Sequence, residues 1–367
     1  MPIPFLNLAR QHAEVETEIT DVLTRVMSRG VYILGPEVEA FENEWARFCD
    51  ARAAAAVGNG TDALVLALIA SGAVRKGHTD EVITSPLTAA YTALAIMNAG
   101  GVPIFADIDA ETYTLDPQAV EAVITPRTRA IVPVHLYGQM ADMPAICDIA
   151  TRHNLIVIED AAQAHGALLG RKRAGTWGQA AAFSFYPTKN LGAYGDGGAV
   201  VSNDVRLIER IKILRQGGHT RALLDKVEGR NSRLDEIQAA LLRVKLKHLE
   251  KWDRQRQSLA DIYHQALSNS RVKIPVERAL KAHVYHLYVV QHPTRDRLRS
   301  HLAMREIETL IHYPLLLHQQ PLFWRSEQRA MPVAERVVQR IFSLPLYPQF
   351  SRDECDAVVD AILDFED

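Results

Sequence analysis

From about residue 53 onward, short apolar runs alternate with longer stretches of helical period. AAAAV (53–57) passes through GNGTD into ALVLALIASGA, and EVITSP passes through LTAAY into TALAIMNAGG. PIFADI, RAIVPVHLY, LIVIED and AAFSFY follow as further strands, interleaved with helices such as MPAICDIATRHN, and AVVSN follows a run of glycines. Strand, loop and helix repeated in this way predict an α/β fold whose large domain holds a mostly parallel sheet flanked by helices. After residue 218 the alternation weakens. An amphipathic run from Arg233 to about Leu267 reads as one long helix leading to a smaller α+β domain, in which HLYVV is a strand and RSHLAMREI and CDAVVDAILDF are helices. The boundaries expected are 1–245 for the large domain, with a helical segment at its start, and 246–367 for the small one.

A chain of 367 residues with 48% hydrophobic side chains buries a substantial core. With 41 basic and 44 acidic side chains the charge is close to balance, which argues against nucleic acid or an anionic membrane as partner and for a small-molecule substrate. The basic cluster Arg243, Lys245, Lys247, Lys251, Arg254 and Arg256 is interrupted by Glu250, Asp253 and Asp261, so it reads as a solvated helix face. Cys49, Cys147 and Cys355 lie far apart without CxxC spacing; a metal site and a disulfide framework are not expected, and a reducing cytoplasm fits. The opening MPIPFLNLARQ has no basic-then-apolar leader, and no apolar run is long enough to span a bilayer.

Candidate chemistry falls at strand ends, where open parallel sheets bind their ligands. Gly58-Asn59-Gly60-Thr61-Asp62-Ala63 joins a strand to a helix; glycine lets backbone approach a phosphate, and a helix N-terminus offers free N–H groups. The same stretch matches GxGxxA with Asp80 downstream, but Asp80 precedes its strand rather than ending it, so a dinucleotide reading is weakly founded. Asp160 closes the apolar run LIVIED, and a carboxylate there is costly unless a cation meets it. Gln163 and His165 follow it. Ser184 and Lys189 lie in FSFYPTKNLGAYGDGG (183–198), and partial burial at a strand end lowers the basicity of a lysine that must act as a nucleophile. A phosphate cradle, a carboxylate able to keep a pyridinium protonated and a Schiff-base lysine are together the protein groups that pyridoxal 5'-phosphate (PLP) requires.

With these motifs the chain resembles the DegT/DnrJ/EryC1/StrS sugar aminotransferases, which share the fold type I (aspartate aminotransferase-like) architecture of PLP-dependent transferases. The resemblance runs almost end to end, through YILGPEVEAFENEWARFC, GNGTDAL, PVHLYGQMADM, IEDAAQAHGA, FSFYPTKNLGAYGDGGAVVSND, NSRLDEIQAALLRVKL and HYPLLLH. It implies that Lys189 carries the cofactor and moves protons, that Asp160 pairs with the pyridine nitrogen, and that Gln163 lies near the phenolic oxygen. It further implies that Gly60, Thr61 and Asp62 give backbone N–H groups, and Ser184 its hydroxyl, to the phosphate. Asn231 of a neighbouring subunit would complete the pocket, so a homodimer with shared active sites is expected. Tyr32, Tyr313 and His318 are candidate sugar contacts. At the ring-stacking position this sequence has Ala89 where the family carries an aromatic, with Tyr91 two residues on.

The reaction implied is transamination from an amino acid, glutamate, to a nucleotide-linked keto-deoxy sugar. HLYGQ resembles members acting on dTDP-3-keto-6-deoxyhexoses more than those acting at C4, which stay the alternative. The family's dehydratase branch has histidine in place of the lysine and is disfavoured by Lys189. A non-catalytic nucleotide-sugar-binding or regulatory member is the alternative from another class.

Overall fold

The computed structural model describes residues 2–218, 229–324 and 329–366. Two helices come first, α1 (Leu8–Arg29) and α2 (Pro36–Phe48). The alternating region then gives β1 (Ala53–Val57), α3 (Gly60–Ala70), β2 (Glu81–Thr84), α4 (Ala90–Asn98), β3 (Val102–Phe105), α5 (Pro117–Ala122), β4 (Thr128–Val132), α6 (Met143–Arg152) and β5 (Ile156–Asp160). A small hairpin, β6 (Leu168–Leu169) and β7 (Lys172–Arg173), precedes β8 (Ala180–Ser184), β9 (Gly198–Ser202) and α7 (Val205–Leu214). The remainder comprises α8 (Glu236–Leu246), α9 (Leu249–Leu267), β10 (Tyr288–Gln291), α10 (Arg295–Met304), α11 (Pro332–Val338), β11 (Ile341–Leu344) and α12 (Arg352–Leu363).

Seven strands form one sheet in the order β1-β9-β8-β5-β4-β2-β3. The pairs β2/β3, β2/β4, β4/β5 and β5/β8 are parallel, while β9 runs antiparallel to both of its neighbours, β8 and β1. The expected α/β, mostly parallel sheet is what forms. Both faces are covered, which explains strands built almost wholly of alanine: Ala54 and Ala56 pack in the cluster with Trp45 and Phe183, and Ala55 and Val57 pack in the other with α3. Small side chains let α3 press on the sheet, and its ALVLALIA run is apolar all round because it is buried all round. The C-terminal ribbon of β10 and β11 has its own division: Tyr288, Val290, Phe342 and Leu344 face a core with α9, α10 and α12, whereas Leu287, Val289 and Ile341 pack with Leu136 and Tyr137 at the end of β4.

Two expectations are corrected. The run from Arg233 to Leu267 is not one helix: Asp235 is the N-cap of α8, and a break at Lys247 and His248 starts α9. There the last N–H groups of α8 turn to three-residue bonds, Lys247 N to Val244 O and His248 N to Lys245 O, and the His248 ring leaves the helix line to stack on Trp252 and bond Glu18. Its basic cluster is a solvated face only in part: Lys247, Lys251 and Arg254 are exposed, but two members are not. Lys245 and Arg256 are buried, the first donating to Gly192 O at 2.6 Å and the second to the carbonyls of Tyr285 and Leu346 at 3.1 and 3.0 Å, because backbone oxygens inside the fold need donors long enough to reach them. The expected boundary at residue 245 falls inside α8. The helix that follows it, α9, contributes Leu249 to the sheet core, Trp252 to the cluster with α1, and Leu259, Tyr263 and Leu267 to the C-terminal core.

Candidate active site

Register brings the candidate residues to one edge of the sheet. Gly198 opens β9 opposite both Val57, the end of β1, and Ser184, the end of β8, while Ala182 of β8 is level with Asp160, the end of β5. The carboxyl ends of three parallel-oriented strands therefore meet at one place, with the N-terminus of α3 beside them.

Gly60 is the first residue of α3, and a Cβ on it would lie 2.6 Å from Ser184 Cβ and 3.1 Å from Ser184 Oγ. Only glycine permits this approach, which sets the Ser184 hydroxyl against the open end of the helix. Asn59 caps the helix by accepting from Asp62 N at 2.8 Å. The N–H groups of Gly60 and Thr61 keep no acceptor among the described residues. Of the three N–H groups expected to meet a phosphate, the structure leaves two free and engages that of Asp62. Behind the loop, Arg215 joins Glu42 and Ala56 O, and Gly58 N donates to Ser232 Oγ at 3.0 Å.

Asp160 is 8% exposed. Its Oδ2 accepts from Thr92 Oγ1 of α4 at 2.8 Å and its Oδ1 from Ala162 N at 3.2 Å, so the carboxylate is fixed by two donors. Glu159, one residue earlier, points to the opposite side as strand alternation requires. It is fully buried and accepts from Gly175 N, Trp177 N and Gly178 N at 2.8, 2.8 and 2.9 Å, with His135 Nε2 at 2.9 Å. One carboxylate anchors the strand and its neighbour faces the site.

Lys189 is partly buried, and among the described residues its amine has no carboxylate within ion-pairing distance. Burial lowers it from the ordinary lysine value to about 8, against the pull of the nearby Asp160 charge. The lysine acts in turn on the histidines around it. His165 falls to about 3 through burial and then the Lys189 charge, and His312 to about 4 for the same two reasons. His165 Nε2 lies 2.9 Å from Ser184 O and the ring packs on Trp45, Phe183 and Phe185, the setting of a core histidine that holds the serine strand.

Gln163 spans the site. Its Oε1 accepts from Tyr137 N at 2.6 Å and its Nε2 donates to Tyr313 Oη at 3.1 Å, while the Tyr137 hydroxyl donates to His312 O. Burial and the Asp160 charge push Tyr313 up to about 12, opposed by the Gln163 bond. Tyr313 thus joins Asp160, Gln163 and Lys189. His318 does not: its Nε2 faces Glu335 at 3.2 Å. Tyr32 is exposed, with its carbonyl bonded to Glu236 N, and Asn231 is exposed beside Ser232. Ala89 is the N-cap of α4, and Tyr91 is 66% exposed with no ring contact among the described residues. Asp80 is held by Arg75 through three bonds of 2.6–3.0 Å, which accounts for it without a ribose.

Thr92 escaped the sequence reading: a threonine in the first turn of a helix has no signature, and only its distance to Asp160 assigns it. The donors that fix Asp160, the open N–H pair beside a hydroxyl and an amine of reduced basicity can together hold a phosphorylated pyridine aldehyde.

A family profile described as "DegT/DnrJ/EryC1/StrS aminotransferase family" matches residues 13–363. A protein of Geobacillus stearothermophilus called "Pleiotropic regulatory protein" is 44% identical over 100% of this chain and 99% of its own length. The "dTDP-3-amino-3,4,6-trideoxy-alpha-D-glucose transaminase" of Streptomyces venezuelae is 43% identical over 98% of this chain and 95% of its own. The crystal structure of S. venezuelae DesV in complex with a ketimine intermediate superposes with a TM-score of 0.94 at 43% identity, covering 100% of both chains.

Proposed function

The chain belongs to the DegT/DnrJ/EryC1/StrS aminotransferase family and is a nucleotide-sugar aminotransferase, and from that premise we propose its substrates, cofactor and assembly. It moves an amino group from L-glutamate to a dTDP-linked 3-keto-6-deoxyhexose, using PLP in a homodimer. The observation that carries this reading is the meeting, on one sheet edge, of the Gly60 and Thr61 N–H groups with Ser184, of Asp160 fixed by Thr92, and of Lys189.

The family is PLP-dependent, and the residues present fit that group. A Cβ at Gly60 would fill the cradle, and the two free N–H groups lie in the open first turn of α3, where an anion would be held. Gly60, Thr61 and Ser184 would hold the phosphate, Asp160 the ring nitrogen, and Gln163, braced by Tyr137 and Tyr313, the phenolic side. When bound, PLP supplies an electron sink for the carbon next to nitrogen. Lys189 supplies the proton traffic: an amine titrating near 8 is available in both forms around neutrality, taking a proton as free base and returning it as ammonium. Thr92 holds the Asp160 carboxylate in one orientation, from which its charge would meet the ring nitrogen. Exposed Tyr32 and Asn231 and the open Tyr91 support a second copy of the chain completing the pocket.

Support for C3 comes from the Streptomyces relative's name and from HLYGQ, whose Tyr137 braces Gln163. A visible absorption spectrum with PLP, before and after glutamate, tests the reading: wild type gains a yellow band that glutamate shifts, and Lys189→Ala does not. A wild type without any band refutes it. A 4-amino product from a panel of dTDP and UDP keto sugars would overturn C3. The Geobacillus relative's name favours a regulatory reading, which predicts no amino transfer to any sugar of that panel.

A further inference from the structure

α9 carries a buried carboxylate that the proposed chemistry does not use. Asp253 Oδ1 accepts from Asn190 Nδ2 at 2.9 Å, and Asn190 is the residue after Lys189. The same Nδ2 donates to Val284 O at 3.1 Å, and the Asn190 Oδ1 is buried without a partner, so the amide is held wholly through its nitrogen. On its other side Asp253 Oδ2 lies 2.6 Å from where a Cβ on Gly166 would sit, so the loop after His165 closes directly over it. Arg256, one helical turn on, is near enough for its charge to act on Asp253 but gives its hydrogen bonds to the carbonyls of Tyr285, His286 and Leu346. Arg173 and Glu250 are the other charges that face it, and they pair with each other at 3.1 Å. Burial lifts the carboxyl to about 7, against the Asn190 bond and the Arg256 charge. A carboxylate kept dry with one side-chain donor among the described residues is expensive, and that donor belongs to the loop of the reacting lysine.

We propose that Asp253 is a positioning residue for Lys189, acting through the amide of Asn190. The segment after Lys189 is gripped from two helices: Lys245 of α8 holds Gly192 O, Gln238 of α8 accepts from Tyr194 N at 2.9 Å, and Asp253 of α9 holds Asn190. The Asp253 grip is the one on the residue next to Lys189. It keeps the Lys189 backbone drawn into the fold, and that depth is what lowers the lysine's basicity, since burial is the leading cause of its shift. Releasing Asn190 lets the amine rise toward solvent and regain an ordinary lysine pKa.

The proposal rests on Lys189 being the reacting amine, and its test does not require the loaded enzyme. In the full chain freed of cofactor, the rate of Lys189 acylation by an amine-reactive probe is followed against pH by peptide mass spectrometry. Asp253→Ala is expected to raise the apparent pKa of Lys189 by about one unit, cutting the free amine at pH 7 about tenfold. Asp253→Asn keeps an oxygen for the Asn190 amide and titrates like wild type. Asn190→Leu, which removes the donor at similar volume, matches Asp253→Ala, and the double variant shifts no further than either. If Asp253→Ala loses thermal stability while Lys189 titrates as in wild type, the role is structural and the proposal is wrong. It is equally wrong if Asp253→Asn shifts as far as alanine. Should Asp253→Ala fail to fold, Asp253→Asn and Asn190→Leu decide by the same readout. A wild type that binds no PLP would sink the functional reading and leave the lysine titration to be judged on its own.

Discussion

Replacing Gly60 by alanine tests the geometry of the cradle with a single methyl group. The added Cβ meets Ser184 Cβ at 2.6 Å and Ser184 Cα and Oγ at 3.1 Å, and two of these three atoms cannot rotate away. Either α3 moves off the end of β8 or Ser184 retreats, and in both cases the hydroxyl separates from the two open N–H groups. Overpacking of this kind costs about 1–3 kcal/mol of stability. Losing one charge-assisted bond to a phosphate costs about 1.5–3 kcal/mol of binding, so PLP affinity should fall roughly ten- to a hundredfold. Gly58→Ala is the control on the same loop: its Cβ meets only the Ser232 hydroxyl at 3.2 Å and then nothing nearer than 3.6 Å. Equilibrium dialysis gives the PLP affinity of the two variants, and thermal melting of the cofactor-free chains gives the stability cost. Gly60→Ala binding PLP as tightly as wild type would refute the placement of the phosphate.

Thr92→Val keeps the shape of α4 and removes the 2.8 Å donor to Asp160; kcat should fall about tenfold with the KM for the sugar within about twofold of wild type, measured by steady-state kinetics. Lys189→Met should stabilise the cofactor-free chain most at low pH. In wild type the folded amine titrates near 8, below the unfolded value of about 10.4, so the folded state is penalised below pH 8 and the penalty fades as pH rises toward 10. The difference in urea unfolding free energy between Lys189→Met and wild type should therefore be about 1–2 kcal/mol at pH 7, after discount for partial exposure, and shrink by pH 10; a constant difference contradicts the burial argument. Glu159→Gln replaces an acceptor of three N–H groups by a group that turns one donor against them, and should cost about 2–4 kcal/mol in chemical denaturation with the PLP site still able to form.

Much of the sheet was legible because its strands are short apolar runs between turn residues. LIVIED, AAFSFY and EVITSP became β5, β8 and β2 close to where the pattern put them. The reversal of β9 was not legible, since AVVSN reads the same in either direction and only the loop geometry after Lys189 turns it round. The break at Lys247 and His248 has no glycine or proline to announce it. Asp160, Ser184 and Lys189 stood out because the first two end strands and the third lies in the loop just beyond one, where a buried charge is costly; Tyr313 was reachable only through family resemblance, for it arrives from the far end of the chain. Burial of Lys245 and Arg256 was hidden for a plain reason: a charge pattern records sign and spacing, and the carbonyls that receive these side chains come from residues 192, 285 and 346.

The place of β1 in the sheet has a consequence for synthesis on the ribosome. β1 is an edge strand whose sole partner is β9, so when Val57 and the first turn of α3 emerge they have no strand to join until Gly198 has been made. Ser184, too, is translated long after Gly60. The nascent chain therefore carries the Gly60 turn without its Ser184 neighbour through most of elongation, beside an alanine-rich strand with an unpaired edge. The Gly60–Ser184 contact therefore belongs to the end of translation, and a pause placed between the codons for β8 and β9 would lengthen the interval in which that edge is open to other chains.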